Sequence, residues 1–272
     1  MSGQAHTEGV EEPMATPPSE AIGRRHFYGP DPSQYADLHS SRGARQPGTV
    51  VLIHGGWWRS LIGADHLAGV AADLATRGWT TWNIEYRRVG IGGGYPFTLE
   101  DVAAAVDHLA TLSDLDLSRV VAVGHSAGGH LAAWAAGRAK LAAGSPGADP
   151  VVGVSGVISL AGAVDLVSAA RQRLGGGAAI EFLGGDPDQW PERYVVADPM
   201  AVVPIAAAVR AIHGRADEVV PIAQSAAYVE AARAGGQDAE LVPVEGDHMT
   251  VTDIASLAWP TVIKALEKLT RS

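Results

Sequence analysis

Residues 120–128 read Val120-Val121-Ala122-Val123-Gly124-His125-Ser126-Ala127-Gly128, a short apolar run followed by a serine between two glycines. The apolar run at 120–123 predicts a strand buried in a sheet, and the Ala-rich stretch at 127–138 predicts a helix. Gly124 and Gly128 leave space for a very tight turn between these elements, which lifts the hydroxyl of Ser126 clear of the sheet. A Gly-x-Ser-x-Gly motif in this position is a nucleophile elbow, so Ser126 is the predicted nucleophile.

The rest of the chain alternates short apolar runs with helical patterns. Strands are predicted at 50–53, 80–86, 120–123, 152–160, 209–213 and 240–244, and helices at 67–76, 98–112, 127–138 and 254–269. The sequence Thr98-Leu99-Glu100-Asp101 has the form of a capping box, which predicts the start of the second helix. Strands that alternate with helices in this rhythm indicate an α/β fold with a mostly parallel sheet covered by helices on both faces.

Three stretches depart from this alternation. Residues 1–22 are rich in Glu and Pro and predict a disordered tail, which leaves 23–272 as one domain. The stretch at 28–39 is polar and broken by prolines, and irregular surface structure is expected there. Between 166 and 204 glycines and prolines interrupt the patterns repeatedly, in a segment too short for a separate domain. We expect this segment to form a small lid over the active site.

The composition excludes several classes of protein and site. The net charge of −10 opposes binding to nucleic acid or to an anionic membrane surface. No apolar run approaches the ~20 residues that span a bilayer, and the first residues lack the apolar core of a secretory signal. Without cysteine the chain has no disulfide, thiolate zinc site or cysteine nucleophile. A cytoplasmic location is expected, with an exposed sheet edge or the C-terminal helix as the place for a possible homodimer contact.

A second specific motif, His54-Gly55-Gly56-Trp57-Trp58, directly follows the first apolar run. Two successive glycines let the chain turn sharply, so that consecutive N–H groups face one point. Such donors stabilise the negative charge that develops on a carbonyl oxygen under attack. The predicted oxyanion hole consists of the amides of Gly56, Trp57 and Ala127, with Gly55 shaping the turn and the ring of His54 tying the loop down.

A nucleophilic serine needs a base, and the base needs an acid that holds its tautomer. In folds built around this elbow the acid and then the histidine follow the serine, each on a loop beyond a strand. Asp217 and His248 occupy those positions, since they follow the runs at 209–213 and 240–244. Glu218 and Asp247 remain the rival acids.

The other histidines are expected to serve the structure. His213 ends its strand, which favours a supporting or core position, and His66 and His108 fall in helical stretches as surface or helix-packing residues. No His-Glu-x-x-His motif or His-rich cluster is present, so no metal site is predicted.

Aromatic residues supply the candidates for the substrate pocket. Trp58, Tyr95 and Trp190 are the predicted contacts, and Trp57, Phe97 and Tyr194 are further candidates that would otherwise pack a lid.

The run Glu85-Tyr86-Arg87-Arg88 predicts an ion-pair cluster at a strand end. The glycines at 90–94 lack the Lys-Ser/Thr of a phosphate-binding loop and predict a flexible loop.

His-Gly-Gly-x-Trp at 54–58, together with Gly-His-Ser-Ala-Gly-Gly-His at 124–130, resembles the α/β-hydrolase superfamily. The resemblance extends from about residue 45 to the end, and it is to the branch that holds kynurenine formamidases (arylformamidases) and small carboxylesterases. Hormone-sensitive-lipase-like esterases usually carry glycine where Trp57 stands and aspartate where His125 stands. Bacterial feruloyl and acetyl esterases share the elbow string, so the elbow does not separate formamide from ester substrates.

The resemblance implies a serine hydrolase that works through an acyl-enzyme without a cofactor. Its substrate would be a small-molecule ester or aryl formamide, with N-formylkynurenine as the first candidate and a short-chain acetyl- or feruloyl-type carboxylesterase as the alternative. An acyltransferase or peptidase on the same triad is a further possibility. A non-catalytic binding protein on this scaffold is disfavoured, because such proteins typically lose a triad member and all three are present.

Overall fold

The computed structural model describes residues 23–271, whose eight strands form one sheet in the order β1-β2-β4-β3-β5-β6-β7-β8. The tail predicted for residues 1–22 lies outside the described residues. The strands are β1 (Arg24–Phe27), β2 (Tyr35–His39), β3 (Thr49–Ile53), β4 (Thr80–Ile84), β5 (Val120–His125), β6 (Gly156–Leu160), β7 (Ala208–Gly214) and β8 (Ala239–Val244).

The sheet is parallel from β4 to β8, and this confirms the predicted α/β class. Every residue of β3 is buried, as expected for a central strand with β4 on one side and β5 on the other. The carboxyl ends of β5, β7 and β8 lie at the same edge, so the loops that carry Ser126, Asp217 and His248 meet there.

The prediction of irregular structure at 28–39 is wrong for its second half. Tyr35–His39 forms β2, which pairs antiparallel with β4, and β1 pairs antiparallel with β2. Ala36 and Leu38 are buried while alternate residues are half-buried, the period-two pattern of a strand near a sheet edge. The prolines that suggested a break lie in the turn between β1 and β2.

Helices cover both faces of the sheet. They are α1 (Ala68–Thr76), α2 (Phe97–Asp107), α3 (Ala127–Gly137), α4 (Leu166–Arg171), α5 (Leu174–Leu183), α6 (Pro191–Ala197), α7 (Ala223–Ala234) and α8 (Trp259–Arg271). Alternate residues of β3 point to opposite cores: Val51 joins the cluster with α2 and α3, and Leu52 joins the cluster with α1 and α8. Within residues 23–271, none of the helices has the length and apolar character needed to cross a membrane.

The segment at 166–204 contains α4, α5 and α6 between β6 and β7. Gly175, Gly176 and Gly177 have φ of 57°, 73° and 91°, so the first turn of α5 is left-handed. The segment contacts the loop after β3, because the ring of Phe182 stacks on Trp58 with centroids 4.9 Å apart.

The capping box predicted at Thr98 is wrong. Helix α2 begins one residue earlier, and the hydroxyl of Thr98 donates to the carbonyl of Arg87 at 2.6 Å.

Asp101 forms an ion pair with Arg87 at 2.6 Å, and Arg88 lies 3.2 Å from Glu85, so the predicted ion-pair cluster at the end of β4 is confirmed.

Candidate active site

Ser126 lies on the turn between β5, which ends at His125, and α3, which begins at Ala127. Its backbone has φ 56° and ψ −120°, a conformation that non-glycine residues rarely adopt and that is typical of strained functional positions. A Cβ at Gly128 would lie 2.0 Å from the carbonyl oxygen of Ile53, so only glycine allows α3 to approach β3 this closely. The strand–turn–helix arrangement predicted for the motif is therefore present.

Ser126 and His248 line the same cavity, which has a volume of about 140 Å³. Its lining consists of Gly56, Trp57, Ile62, His66, His125, Ser126, Val219, His248 and Met249. The side chains of Ile62, Val219 and Met249 are exposed to between 38% and 49%, so the cavity mouth is apolar. Two residues predicted for the chemistry thus share a small cavity at the carboxyl edge of the sheet.

Asp217 holds His248 from the side away from this cavity. The Oδ2 atom of Asp217 accepts a hydrogen bond from His248 Nδ1 at 2.7 Å, which leaves Nε2 as the free ring nitrogen. The Oδ1 atom accepts from the backbone N–H groups of Val219 and Val220, both at 2.8 Å. Burial acts to raise the pKa of Asp217, but hydrogen bonds from His213, His248 and the Val220 N–H outweigh it and hold the pKa well below its usual range.

His213 supports the same carboxylate from the core. Its Nε2 lies 3.1 Å from Asp217 Oδ2 and 2.8 Å from the carbonyl oxygen of Val220, and its Nδ1 lies 2.8 Å from Ser225 Oγ. The side chain is fully buried, which confirms the core position predicted for it.

The two rival acids lie elsewhere. Glu218 is exposed, and Asp247 is an exposed residue whose Oδ1 accepts from the N–H groups of Met249 and Thr250, both at 3.0 Å. Asp247 thus closes a local turn, whereas Asp217 contacts the histidine.

The loop after β3 packs directly against the elbow. A Cβ at Gly55 would lie 2.7 Å from the carbonyl oxygen of His125 and 2.9 Å from Ser126 Cβ, so this close approach requires glycine. Gly56, Trp57 and Trp58 follow with φ of 104°, 56° and 57°. Among residues 23–271, the N–H groups of Gly56 and Trp57 and that of Ala127 take part in none of the hydrogen bonds found.

His54 ties this loop to the end of β4, as predicted. Its Nδ1 lies 2.8 Å from the carbonyl oxygen of Gly55 and its Nε2 lies 3.0 Å from Glu85 Oε1. Burial alone would raise the pKa of Glu85, but hydrogen bonds from His54 and from the N–H groups of Tyr86 and Ala64 lower it. The ring of His54 therefore bridges the carbonyl of Gly55 and the buried carboxylate of Glu85.

The predicted substrate contacts of Trp58, Tyr95 and Trp190 do not agree with their positions. Trp58 is 0% exposed, and its Nε1 donates to Nδ1 of His130 at 3.1 Å. The guanidinium of Arg193 lies over the rings of Tyr95 and Trp190, and neither ring lines the cavity that holds Ser126. Trp57, the residue before Trp58 and one of the further candidates, does line that cavity.

His66 and His125 also line the cavity, although the sequence predicted a surface or helix-packing position for His66. The sequence could have predicted that His125 lies near the nucleophile, because His125 is between Gly124 and Ser126 in the elbow itself. Nothing in the local sequence places His66 beside it, since 58 residues separate the two in the chain.

Comparison with known proteins places this architecture in a family. The model of the family described as BD-FAE matches residues 37–231, more than half of the chain. The chain belongs to the BD-FAE family. Esterase LipC of Mycobacterium tuberculosis is 30% identical over 230 residues, and the match covers 78% of this chain and 55% of LipC. The chain thus spans about half the length of this curated relative.

Solved structures share the fold of this BD-FAE member. A truncated carbohydrate esterase from gut microbiota superposes with a TM-score of 0.77 at 20% identity, over 94% of this chain and 99% of that one. Butyrate-bound Est2 of Thermogutta terrifontis superposes with a TM-score of 0.71 at 22% identity, over 92% and 94% of the two chains. The predicted α/β-hydrolase fold is confirmed, whereas these relatives do not show the kynurenine formamidase branch.

Proposed function

We propose that this protein is a serine esterase that hydrolyses small carboxylic esters with short acyl chains. The observation that carries the proposal is the hydrogen bond between Asp217 and His248 at 2.7 Å, in a cavity that His248 shares with Ser126. A serine on an elbow, a histidine beside it and an ionised carboxylate on the far ring nitrogen make an activated nucleophile. Membership of the BD-FAE family and the likeness to LipC support the choice of an ester substrate.

The reaction uses Ser126 as nucleophile and His248 as the proton carrier. Ser126 Oγ attacks the carbonyl carbon while His248 Nε2 takes the hydroxyl proton, and Asp217 stabilises the imidazolium that forms. The bond from the carbonyl carbon to the alcohol oxygen then breaks as His248 returns that proton to the alcohol. Water, deprotonated by His248, then attacks the acyl carbon. The bond from that carbon to Ser126 Oγ breaks as His248 gives the proton to Oγ, which releases the carboxylic acid and restores the serine.

The N–H groups of Gly56, Trp57 and Ala127 are the proposed donors to the oxyanion. They are free of intramolecular partners among the described residues and belong to the two segments that meet at Ser126. One such donor typically lowers the barrier by about 2.7–4 kcal/mol.

The cavity supports a short acyl group. Its volume of about 140 Å³ is less than half of the roughly 300 Å³ at which pockets for drug-sized ligands begin. The esters that best fit this space carry acetyl to butyryl chains. The aryl formamide remains the competing substrate class, and the relatives, which are named as esterases, favour the ester.

A panel of substrates tests the proposal. Purified protein is assayed with 4-nitrophenyl acetate, butyrate and decanoate and with N-formylkynurenine, and kcat/KM is compared. We expect acetate and butyrate to exceed decanoate at least about tenfold, with the formamide slower than both short esters. Ser126→Ala removes the activity, and Ser118→Ala, at an exposed position away from the cavity, retains it. Turnover of N-formylkynurenine above the esters, or transfer of the acyl group to an added alcohol in preference to water, would overturn it.

A further inference from the structure

Two histidines outside the proposed triad form a chain that ends on His248. His66 Nε2 lies 3.1 Å from His125 Nδ1, and His125 Nε2 lies 3.0 Å from the backbone carbonyl oxygen of His248. The ring centroids are 5.1 Å apart between His66 and His125, and 4.7 Å apart between His125 and His248. All three residues line the cavity that contains Ser126.

The direction of the hydrogen bonds in this chain follows from its last acceptor. A carbonyl oxygen only accepts, so His125 Nε2 carries the hydrogen that binds the carbonyl of His248. Burial lowers the pKa of His125 to about 3, so the ring is neutral at pH 7 and its Nδ1 has a lone pair. His66 Nε2 therefore carries the hydrogen that binds His125 Nδ1. The hydrogen bond from His66 stabilises the tautomer of His125 that binds His248.

The position of His248 depends on two contacts of different kinds. Its ring is held by Asp217 at 2.7 Å, and its backbone is held by His125 at 3.0 Å. His248 lies in the loop between β8 and α8, and the turn that follows it is closed internally by Asp247 and Thr250. Because His125 directly precedes Ser126 in the chain, its hydrogen bond joins the loop of His248 to the elbow that carries Ser126.

We propose that His125 and His66 are positioning residues for the base, because their imidazole chain fixes the backbone of His248 relative to Ser126. The inference rests on the proposed function in one respect, namely that His248 is the base. His125 acts only through the carbonyl of His248, and His66 acts only through the tautomer of His125. A base displaced by about 1 Å can slow the chemical step about 100-fold without weakening substrate binding.

Paired variants of His125 test this role. His125→Gln places an amide N–H near the position of Nε2, whereas His125→Leu has similar bulk and no donor. With 4-nitrophenyl butyrate we expect His125→Leu to lower kcat by about 10- to 100-fold while KM changes by less than about threefold. His125→Gln should restore kcat to within about threefold of the wild type. His108→Leu removes a half-buried imidazole stacked on Trp82, away from the cavity, and serves as the control that retains activity.

Spectroscopy of the unmodified protein supplies a second readout that does not depend on any variant folding. Long-range ¹H–¹⁵N spectra of the histidine rings report which nitrogen carries the hydrogen, and double labelling of the His125–Ser126 peptide bond assigns the signals of His125. We expect the Nε2–H tautomer for both His125 and His66. An Nδ1–H tautomer of His125, wild-type kcat in a folded His125→Leu variant, or equal loss in His125→Gln and His125→Leu would each overturn the proposal. If the wild type hydrolyses no ester, the proposed function fails, and the tautomers still report whether the chain exists.

Discussion

At the scale of the residue, Asp217 differs from the rival acids Glu218 and Asp247 because its carboxylate accepts a hydrogen bond from His248. Replacing Asp217 with Asn removes the charge that stabilises the imidazolium and presents an amide donor to the ring, which selects the wrong tautomer of His248. We expect Asp217→Asn to lower kcat about 10³- to 10⁴-fold. The controls are Glu218→Gln and Asp247→Asn, which should stay within about threefold of the wild type in the same ester assay. If kcat fell more in either control than in Asp217→Asn, the residue changed in that control would be the acid instead of Asp217.

His130 gives a prediction for the dependence of stability on pH. Burial lowers the pKa of His130 to about 4, and its ring accepts from Trp58 and contacts the carbonyl of Ala197 at 2.8 Å. In the unfolded chain this pKa is about 6.5, so between pH 6.5 and 4 the unfolded state binds a proton that the folded state does not. The free energy of unfolding therefore falls as the pH decreases through this window, with His130 contributing on the order of 2–3 kcal/mol.

Urea unfolding at pH 7 and pH 4.5 measures this contribution. The His130→Gln variant should lose less stability over this interval than the wild type, because its side chain does not titrate. His125 titrates in both proteins and cancels in the comparison, and the contribution of Asp217 is lost only below about pH 4, since its folded pKa is depressed. Equal losses in the two proteins would contradict the assignment.

The two tryptophans after Gly56 show why the substrate contact predicted for Trp58 does not agree with the structure. Trp57 and Trp58 both have left-handed backbone conformations, yet Trp57 lines the cavity and Trp58 is fully buried in the core. The motif predicted an aromatic residue beside the oxyanion loop, but it carried no information on the direction of each side chain. The packing of Trp58 against Phe182 and His130 comes from segments distant in the chain.

At the scale of the element, the elbow depends on how closely α3 approaches β3. Gly128→Ala would place a Cβ 2.0 Å from the carbonyl of Ile53, within backbone that cannot move without disturbing the sheet. We expect a loss of about 2–4 kcal/mol in the free energy of unfolding, measured by urea titration, or failure to fold. Gly69→Ala is the matched control, because this exposed glycine in α1 has open space around it and should gain up to about 1 kcal/mol. Equal stability of the two variants would contradict the close approach.

Elements with strong local patterns were predicted well. The four residues predicted for β3 all lie within Thr49–Ile53, because a strand buried on both faces is a continuous β-branched run. Tyr35–His39 was missed, since its strand character depends on pairing with β4 and its neighbouring prolines dominate the local composition. Thr98 has capping residue types, but its hydroxyl binds Arg87, a partner that no local pattern identifies.

At the scale of the whole molecule, the segment at 166–204 should be less stable than the sheet. Its helices are 6, 10 and 7 residues long, and the second has three left-handed glycines in its first turn. Short helices open at lower free energy than central strands, so hydrogen exchange should be faster in α4, α5 and α6 than in β3 and β5. If the segment acts as a lid, phosphonylation of the protein by a fluorophosphonate should slow exchange there. Exchange in the segment as slow as in β3, with no response to phosphonylation, would contradict a role as lid.

The topology of the whole molecule explains which parts of the site were predictable. Ser126, Asp217 and His248 follow strands whose carboxyl ends share one edge, so their meeting follows from the order of elements in an α/β sheet. The chain from His66 to His125 depends on side-chain directions between segments with no sequence relation. Local patterns therefore predicted the groups proposed for the chemistry, and only three-dimensional packing pointed to the residues proposed to hold them in place.

The most direct test of the account is the site and rate of labelling by a fluorophosphonate. This reagent phosphonylates a serine whose hydroxyl is activated by a neighbouring base, and mass spectrometry of the digested protein locates the adduct. We expect one adduct on Ser126 in the wild type, formed at least about 100-fold more slowly in His248→Gln. An adduct on another serine, or an unchanged rate of labelling in His248→Gln, would contradict the claim that His248 activates Ser126.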